Sequence, residues 1–139
     1  MNGILCINKP PEFTSFDVVA LIRGMTKTRR VGHSGTLDPM ATGVLLIFLG
    51  VATKAVGLLP NENKKYLADF CLGVTTDTLD KTGKILSTIK SQVKAEEILN
   101  SLIEFQGEIS QIPPMYSAVR INGQRLYDIA RKGKEVERQ

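Results

Sequence analysis

The stretch VLLIFL, residues 44–49, most constrains how this chain can fold. An unbroken apolar run has no polar face, so a strand built from it must be covered on both sides, inside a sheet. It is far shorter than the roughly 20 residues a membrane span takes. The residues just before it have the opposite character. RRVGHSGTLDPMATG, 29–43, is small, polar and bent, and it carries the chain's only histidine, His33, and a lone carboxylate, Asp38. Glycines at 32, 35 and 43 permit sharp bends and close approach of a ligand. A loop of this kind, anchored on a buried strand, can present one side chain in a cleft. Asp38-Pro39 also reads as an ordinary turn, because aspartate accepts local backbone hydrogen bonds and proline presets φ. If the loop is chemical, a lone carboxylate suits a nucleophile or a single base better than paired-acid hydrolysis.

The flanking sequence supplies mixed α and β elements. ILCIN (4–8) is a short apolar strand that Lys9-Pro10-Pro11 ends. Thr14 or Ser15 can cap a helix with Asp17 in its first turn, running through Val18, Val19 and Ile22 to Gly24. A short helix is expected near 51–59, before Pro60. KYLADFCLGV (65–74) alternates like a strand. TTDTLDKTG (75–83) is a polar turn; it lacks the glycine and terminal glutamate of a calcium-binding hand, so Asp77 and Asp80 read as loop-capping groups. KAEEILNSLIEFQG (94–107) places Ala95, Ile98, Leu99, Leu102 and Ile103 on one helical stripe that Gly107 can end. An Asn122-Gly123 turn follows, then a short helix ending at Gly133, with Leu126, Tyr127 and Ile129 as packing residues. KEVERQ (134–139) alternates like the start of a strand, or is a polar tail.

Composition narrows the function classes. At 139 residues and 42% hydrophobic, the chain is one globular domain or part of one. No basic segment followed by a long apolar one opens it, so no signal peptide and no membrane partner are expected. Cys6 and Cys71 sit in separate apolar runs, which reads as reduced cytoplasmic thiols used as small hydrophobes. One histidine and no cysteine spacing argue against zinc. A net charge of +4 mildly favours a polyanionic partner. A phosphate-cradling loop is weakly supported: there is no Gly-Lys-Ser/Thr signature, and Asp38 would repel the anion.

GHSGTLDPMATGVL (32–45) resembles the catalytic motif of the bacterial tRNA pseudouridine synthase B family, which modifies the uridine at position 55 of the tRNA T-loop. GILCINKPPEFTSFDVV (3–19), KKYLADFCLGVTTDTLDKTG (64–83) and QIPPMYSAVRINGQRLYDIARKG (111–133) resemble further blocks of the same family, in the same order. Glu12 stands where a glycine is frequent, and Ser34 where threonine is common. The resemblance implies an α+β fold: a mixed, largely antiparallel sheet flanked by helices, the pseudouridine synthase catalytic fold in incomplete form. Family members continue well past residue 139, through a strand bearing a tyrosine and an arginine near the catalytic aspartate and then an RNA-binding domain. Residues 1–139 are therefore read as the N-terminal portion of the catalytic domain.

The same resemblance assigns roles. Asp38 is the nucleophile on a flipped-out uridine, attacking at the sugar or the base. Tyr66 stacks on the base, and His33 helps hold the T-loop open. By charge alone, apart from the resemblance, Lys9, Lys54 and Arg30, with Arg29, Lys64 and Lys65 as further candidates, could meet phosphates, although scattered lysines and arginines usually only face solvent. No metal and no cofactor are expected. The implied partner is the tRNA T-stem-loop, not DNA or a membrane, and the implied enzyme is a cytoplasmic monomer when full length. The alternative is an RNA-binding fragment of such an enzyme that performs no chemistry.

Overall fold

The structure is a computed structural model that describes residues 1–60 and 63–138. It divides into two units, Met1–Tyr66 and Leu67–Gln139. The first opens with strand β1 (Gly3–Lys9), helix α1 (Ser15–Thr26), the short strand β2 (Val31–His33) and strand β3 (Gly43–Leu49). The apolar run of β3 lies at the centre of a three-stranded sheet, in the order β1-β3-β2. Both pairings are antiparallel, running from Gly3↔Leu49 to Lys9↔Gly43 on one side and from Val31↔Leu49 to His33↔Ile47 on the other.

Because side chains alternate along a strand, Leu45, Ile47 and Leu49 share one face of β3. They pack with Val18, Val19 and Ile22 of α1 and with Val31, and Leu5 and Ile7 of β1 close in at the margin. Phe48, on the opposite face, is also fully buried. Residue 6 belongs to that opposite face at its outer end, so Cys6 is exposed; Cys71 is exposed too. Neither thiol is the buried small hydrophobe its apolar neighbours suggest.

Helix α1 starts with a reciprocal cap. Thr14 Oγ1 accepts from the Asp17 N–H at 3.0 Å, and the Asp17 carboxylate accepts from the Thr14 N–H at 2.8 Å. A bond from the Thr14 hydroxyl to the Asp17 carboxylate at 2.6 Å, and then the one from the Thr14 N–H, hold the Asp17 carboxyl below the usual carboxylate range. The helix runs past Gly24 to Thr26 and stops at Lys27 in the left-handed region. One internal glycine costs a helix only about 1 kcal/mol, less than the packing of Val19 and Ile22 supplies. A 3-10 helix, Gly50–Leu58, follows β3 where a helix is expected.

The second unit holds the hairpin β4 (Val74–Thr76) and β5 (Ile85–Thr88), helix α2 (Ala95–Leu102) with a 3-10 turn at Ile103–Phe105, the hairpin β6 (Arg120–Ile121) and β7 (Gln124–Arg125), and helix α3 (Leu126–Ala130). The loop between β4 and β5 is knitted by its carboxylates. Asp80 accepts from Thr78 Oγ1 and from the Thr82 N–H, at 2.9 and 2.8 Å, and Asp77 accepts from the Lys84 N–H at 2.7 Å. Both therefore cap the loop, as their spacing predicts. Asn122 and Gly123 both take positive φ, which a two-residue hairpin turn requires. Leu126 is fully buried.

Three expectations differ from the structure here. Residues 65–73 do not form a strand, which begins only at Val74 with β4, and Leu67 and Phe70 are largely exposed. A strand needs a partner for its backbone groups, and among the described residues the β4–β5 pairing reaches back only to Gly73, whose C=O accepts from Ile89 N–H at 2.8 Å. Residues 134–138 likewise form no strand, and Gln139 lies outside the described residues. The α2 stripe is amphipathic as expected, yet Leu99 and Leu102 are exposed; the short hairpins of this unit present little apolar surface to cover them.

Candidate active site

The segment between β2 and β3 is fastened by its backbone, residue by residue. Ser34 N–H donates back to Leu46 C=O at 3.2 Å, continuing the sheet just beyond His33. The His33 ring meets Gly35 C=O through Nδ1. Ala41 N–H donates to Asp38 C=O at 3.0 Å, closing a turn with Pro39 at its second position. The turn reading of Asp38-Pro39 is thus correct, and the turn is pinned from outside as well.

On one side of Asp38, Leu37 N–H donates to the buried Ser15 Oγ at 3.0 Å. On the other, Pro39 C=O accepts from Glu12 N–H at 2.7 Å and from Lys9 Nζ at 3.2 Å. The peptide links on both flanks are therefore held by the N-terminal segment that joins β1 to α1. The Asp38 side chain itself is exposed, and its carboxylate enters no hydrogen bond or ion pair among the described residues. The arrangement fixes the backbone and leaves the oxygens open to an incoming group.

Lys9 differs from the phosphate contact expected of it. It is completely buried, and Nζ donates to Pro10, Phe13 and Pro39 C=O at 2.9, 2.7 and 3.2 Å. Those bonds use all three donors of an ammonium, leaving none for a phosphate. Lys9 is a backbone clamp. Glu12 is the other surprise: its φ is 66°, a conformation glycine takes without cost, at the position where the sequence motif often carries glycine. Neither role follows from pattern alone, although the adjacent Lys9-Pro10-Pro11 marks a bend in which carbonyls lose their ladder partners.

The remaining candidates lie around this frame. His33 ends β2, five residues before Asp38, and is half-buried. Arg30 is exposed at the head of β2, and its C=O accepts from Gly50 N–H at 2.8 Å. That bond ties the start of β2 to the start of the 3-10 helix, which carries the exposed Lys54. Arg29, Lys64 and Lys65 are exposed. Tyr66 is 74% exposed, and no hydrogen bond among the described residues ties it to the Asp38 loop. No group of three His, Cys, Asp or Glu side chains among the described residues could hold a metal.

The second unit carries a cationic feature that the sequence reading did not single out. Arg120, Gly123, Gln124, Arg125, Asp128, Arg131 and Lys132 line a cavity of about 560 Å³. The Tyr127 ring lies 5.6 Å from the Arg125 guanidinium and 5.3 Å from that of Arg131. Four cations in thirteen residues were the available signal. They are spread over a hairpin and the turn that follows α3, so they do not form a run.

Residues 23–139 match the family model described as TruB family pseudouridylate synthase (N terminal domain). The chain is 53% identical over 138 residues to the tRNA pseudouridine synthase B of Clostridium kluyveri, covering 99% of this chain and 48% of that one. It is 54% identical over 140 residues to the enzyme of the same name from Clostridium tetani, covering all of this chain and 48% of the other. The Microcystis aeruginosa counterpart is 54% identical over 137 residues, covering 98% and 46%. The chain thus spans about half the length of the curated relatives it matches. Among solved structures, a chain in the crystal structure of a Cbf5-Nop10-Gar1 complex superposes with a TM-score of 0.58 at 31% identity, over 85% of this chain and 31% of that one.

Proposed function

The chain belongs to the TruB family of pseudouridylate synthases, and from that premise we propose that it contributes the nucleophile and much of the RNA grip to an enzyme converting the T-loop uridine at tRNA position 55 to pseudouridine. The observation that carries this reading is the Asp38 loop: an exposed carboxylate, without a partner among the described residues, on a backbone anchored at both flanking residues. The reaction is an isomerisation. The C1′–N1 bond to uracil breaks, the base turns, and C1′–C5 forms; C5 gives up its proton and N1 ends protonated, so atoms and electrons balance without an external oxidant or reductant. A nucleophile of this kind converts one hard displacement into two easier ones.

A uridine within the T-loop must leave its stack to reach a protein carboxylate. In this reading Tyr66 offers the flat surface on which the extruded pyrimidine stacks. His33, at the end of β2 where the Asp38 loop begins, helps keep the T-loop open. Arg30, just before β2, and Lys54, in the middle of the 3-10 helix, meet phosphates and set the register of the RNA without reading its sequence. Residues 1–139 form the N-terminal portion of the catalytic domain, and the working enzyme is a cytoplasmic monomer. No helix among the described residues is long and apolar enough to cross a membrane.

Asp38→Asn tests the assignment. The amide is nearly isosteric but a poor nucleophile, so pseudouridine formation should vanish in the natural full-length polypeptide while T-stem-loop RNA still binds. Base-specific chemical labelling reads the product, and filter binding reads the affinity. Turnover by the asparagine variant would refute the role of Asp38; RNA binding with no conversion by the unsubstituted protein would favour the non-catalytic reading.

A further inference from the structure

We infer that Ser15 is a positioning residue for the Asp38 carboxylate, an inference that rests on Asp38 being the nucleophile. Ser15 is the first residue of α1 and is 2% exposed. A serine there would ordinarily serve the helix. Here the cap is supplied by Thr14 and Asp17, each side chain accepting from the other residue's N–H. The Ser15 hydroxyl is therefore released for a longer reach. It accepts from Leu37 N–H at 3.0 Å and donates to Leu37 C=O at 3.4 Å, 22 residues along the chain.

A hydroxyl can accept and donate at once, so this one side chain satisfies both backbone groups of the residue that precedes Asp38. It stands in for the strand partner that Leu37 lacks between β2 and β3. Two residues on, Pro39 is held by Glu12 and Lys9. With both anchors in place, little but the rotation of its own side chain is left to Asp38. With the Ser15 anchor gone, the turn hinges on Pro39 alone, and the carboxylate swings with it. The consequence is a rate effect, because Ser15, 2% exposed, is shut away from an incoming RNA and acts through the Asp38 backbone.

The test compares two substitutions at one helix end, in the natural full-length polypeptide with T-stem-loop RNA as substrate. Ser15→Ala should lower kcat about 10- to 100-fold, the scale of an Å-sized misplacement, with KM within about twofold. Exchange of the Leu37 amide with solvent should rise while the Ile47 and Phe48 amides keep their protection. Thr14→Ala removes the cap but leaves the Leu37 contact, so it should lower thermal stability and leave kcat within about twofold. Ser15→Thr keeps the hydroxyl and should recover rate relative to alanine. If Ser15→Ala fails to fold, Ser15→Cys, a near-isosteric change to a weaker acceptor, decides by the same kcat reading. Unchanged kcat in the variant that is read, or an equal kcat loss in Thr14→Ala, would overturn the inference. Asp38→Asn run alongside separates the two claims. If it still converts RNA, the nucleophile assignment fails; if it is inactive while Ser15→Ala runs at full rate, only the positioning role fails.

Discussion

Replacing Lys9 with methionine keeps the length of a buried side chain and removes only its three donors. The carbonyls of Pro10 and Phe13, bonded to Nζ at 2.9 and 2.7 Å, lose that partner, whereas Pro39 C=O keeps Glu12 N–H. A carbonyl left without a partner costs about 1–3 kcal/mol when fully buried and less here, where Pro10 and Phe13 are exposed, so the two together cost roughly 1–3 kcal/mol. Against this stands the relief of no longer burying a charge, worth several kcal/mol per ion in principle. The first effect wins because the ammonium is fully solvated by peptide oxygens in the fold, so most of its desolvation is already repaid. The net loss should fall at the lower end of that range. The larger consequence is at the site. Lys9 gathers Pro10, Phe13 and Pro39 around one point, so its loss loosens the loop on the C-terminal side of Asp38, and a displacement near 1 Å costs roughly 10²-fold in rate. Denaturant unfolding read by circular dichroism measures the first quantity, and single-turnover conversion of T-stem-loop RNA the second. Unchanged stability with phosphate-like behaviour, meaning weaker RNA binding and a shallower salt dependence, would refute the clamp and restore Lys9 as an RNA contact.

Tyr66→Ala should weaken RNA affinity by roughly 5- to 150-fold, the equivalent of about 1–3 kcal/mol of lost stacking; unchanged filter binding and turnover would show that the tyrosine meets no base. Glu12→Gly should stabilise the fold by about 0.5–1 kcal/mol. The left-handed backbone at φ 66° costs a side-chain-bearing residue roughly 1–2 kcal/mol, and glycine's greater freedom when unfolded returns about 0.4–1 kcal/mol of that. A melting temperature that falls would sink the prediction. Hydrogen bonds from Thr82, chiefly through its hydroxyl, hold the Asp80 carboxyl below the usual carboxylate range. The β4–β5 loop is therefore at full strength above the unfolded carboxyl's pKa of about 3.9. That contribution is lost as pH falls through the lower folded value. The Thr82 amide, corrected for intrinsic exchange, should lose protection only below about pH 4, and protection that persists through acid would contradict the capping role.

What the sequence makes legible here is whatever a local pattern decides. The apolar run of β3 admits only a central place, and the capped start of α1 follows from hydroxyl and carboxylate spacing. The Asn122-Gly123 hairpin follows from the φ values its turn demands. What stays hidden depends on partners distant in the chain. Thr14 and Ser15 look interchangeable as caps, and only the approach of Leu37 separates their tasks. A lysine ordinarily belongs in water, so Lys9 reads as a free cation until Pro39 is brought to it by the β1–β3 register. The alternation in KYLADFCLGV describes a face to be buried but not the strand that would pair with it, so the pattern overstates the structure. Cys6 was within reach: Ile4, Cys6 and Asn8 alternate with Leu5 and Ile7, and the polar Asn8 identifies the outer face of β1. The Asp38 loop shows both limits together. Its glycines, proline and lone carboxylate announce a bent, exposed acid, while its rigidity comes from Ser15, Glu12 and Lys9, three residues whose own neighbourhoods suggest a cap, a solvent-facing charge and a phosphate contact. Such a loop can be sparing in its own sequence because the segment joining β1 to α1 holds it on both sides.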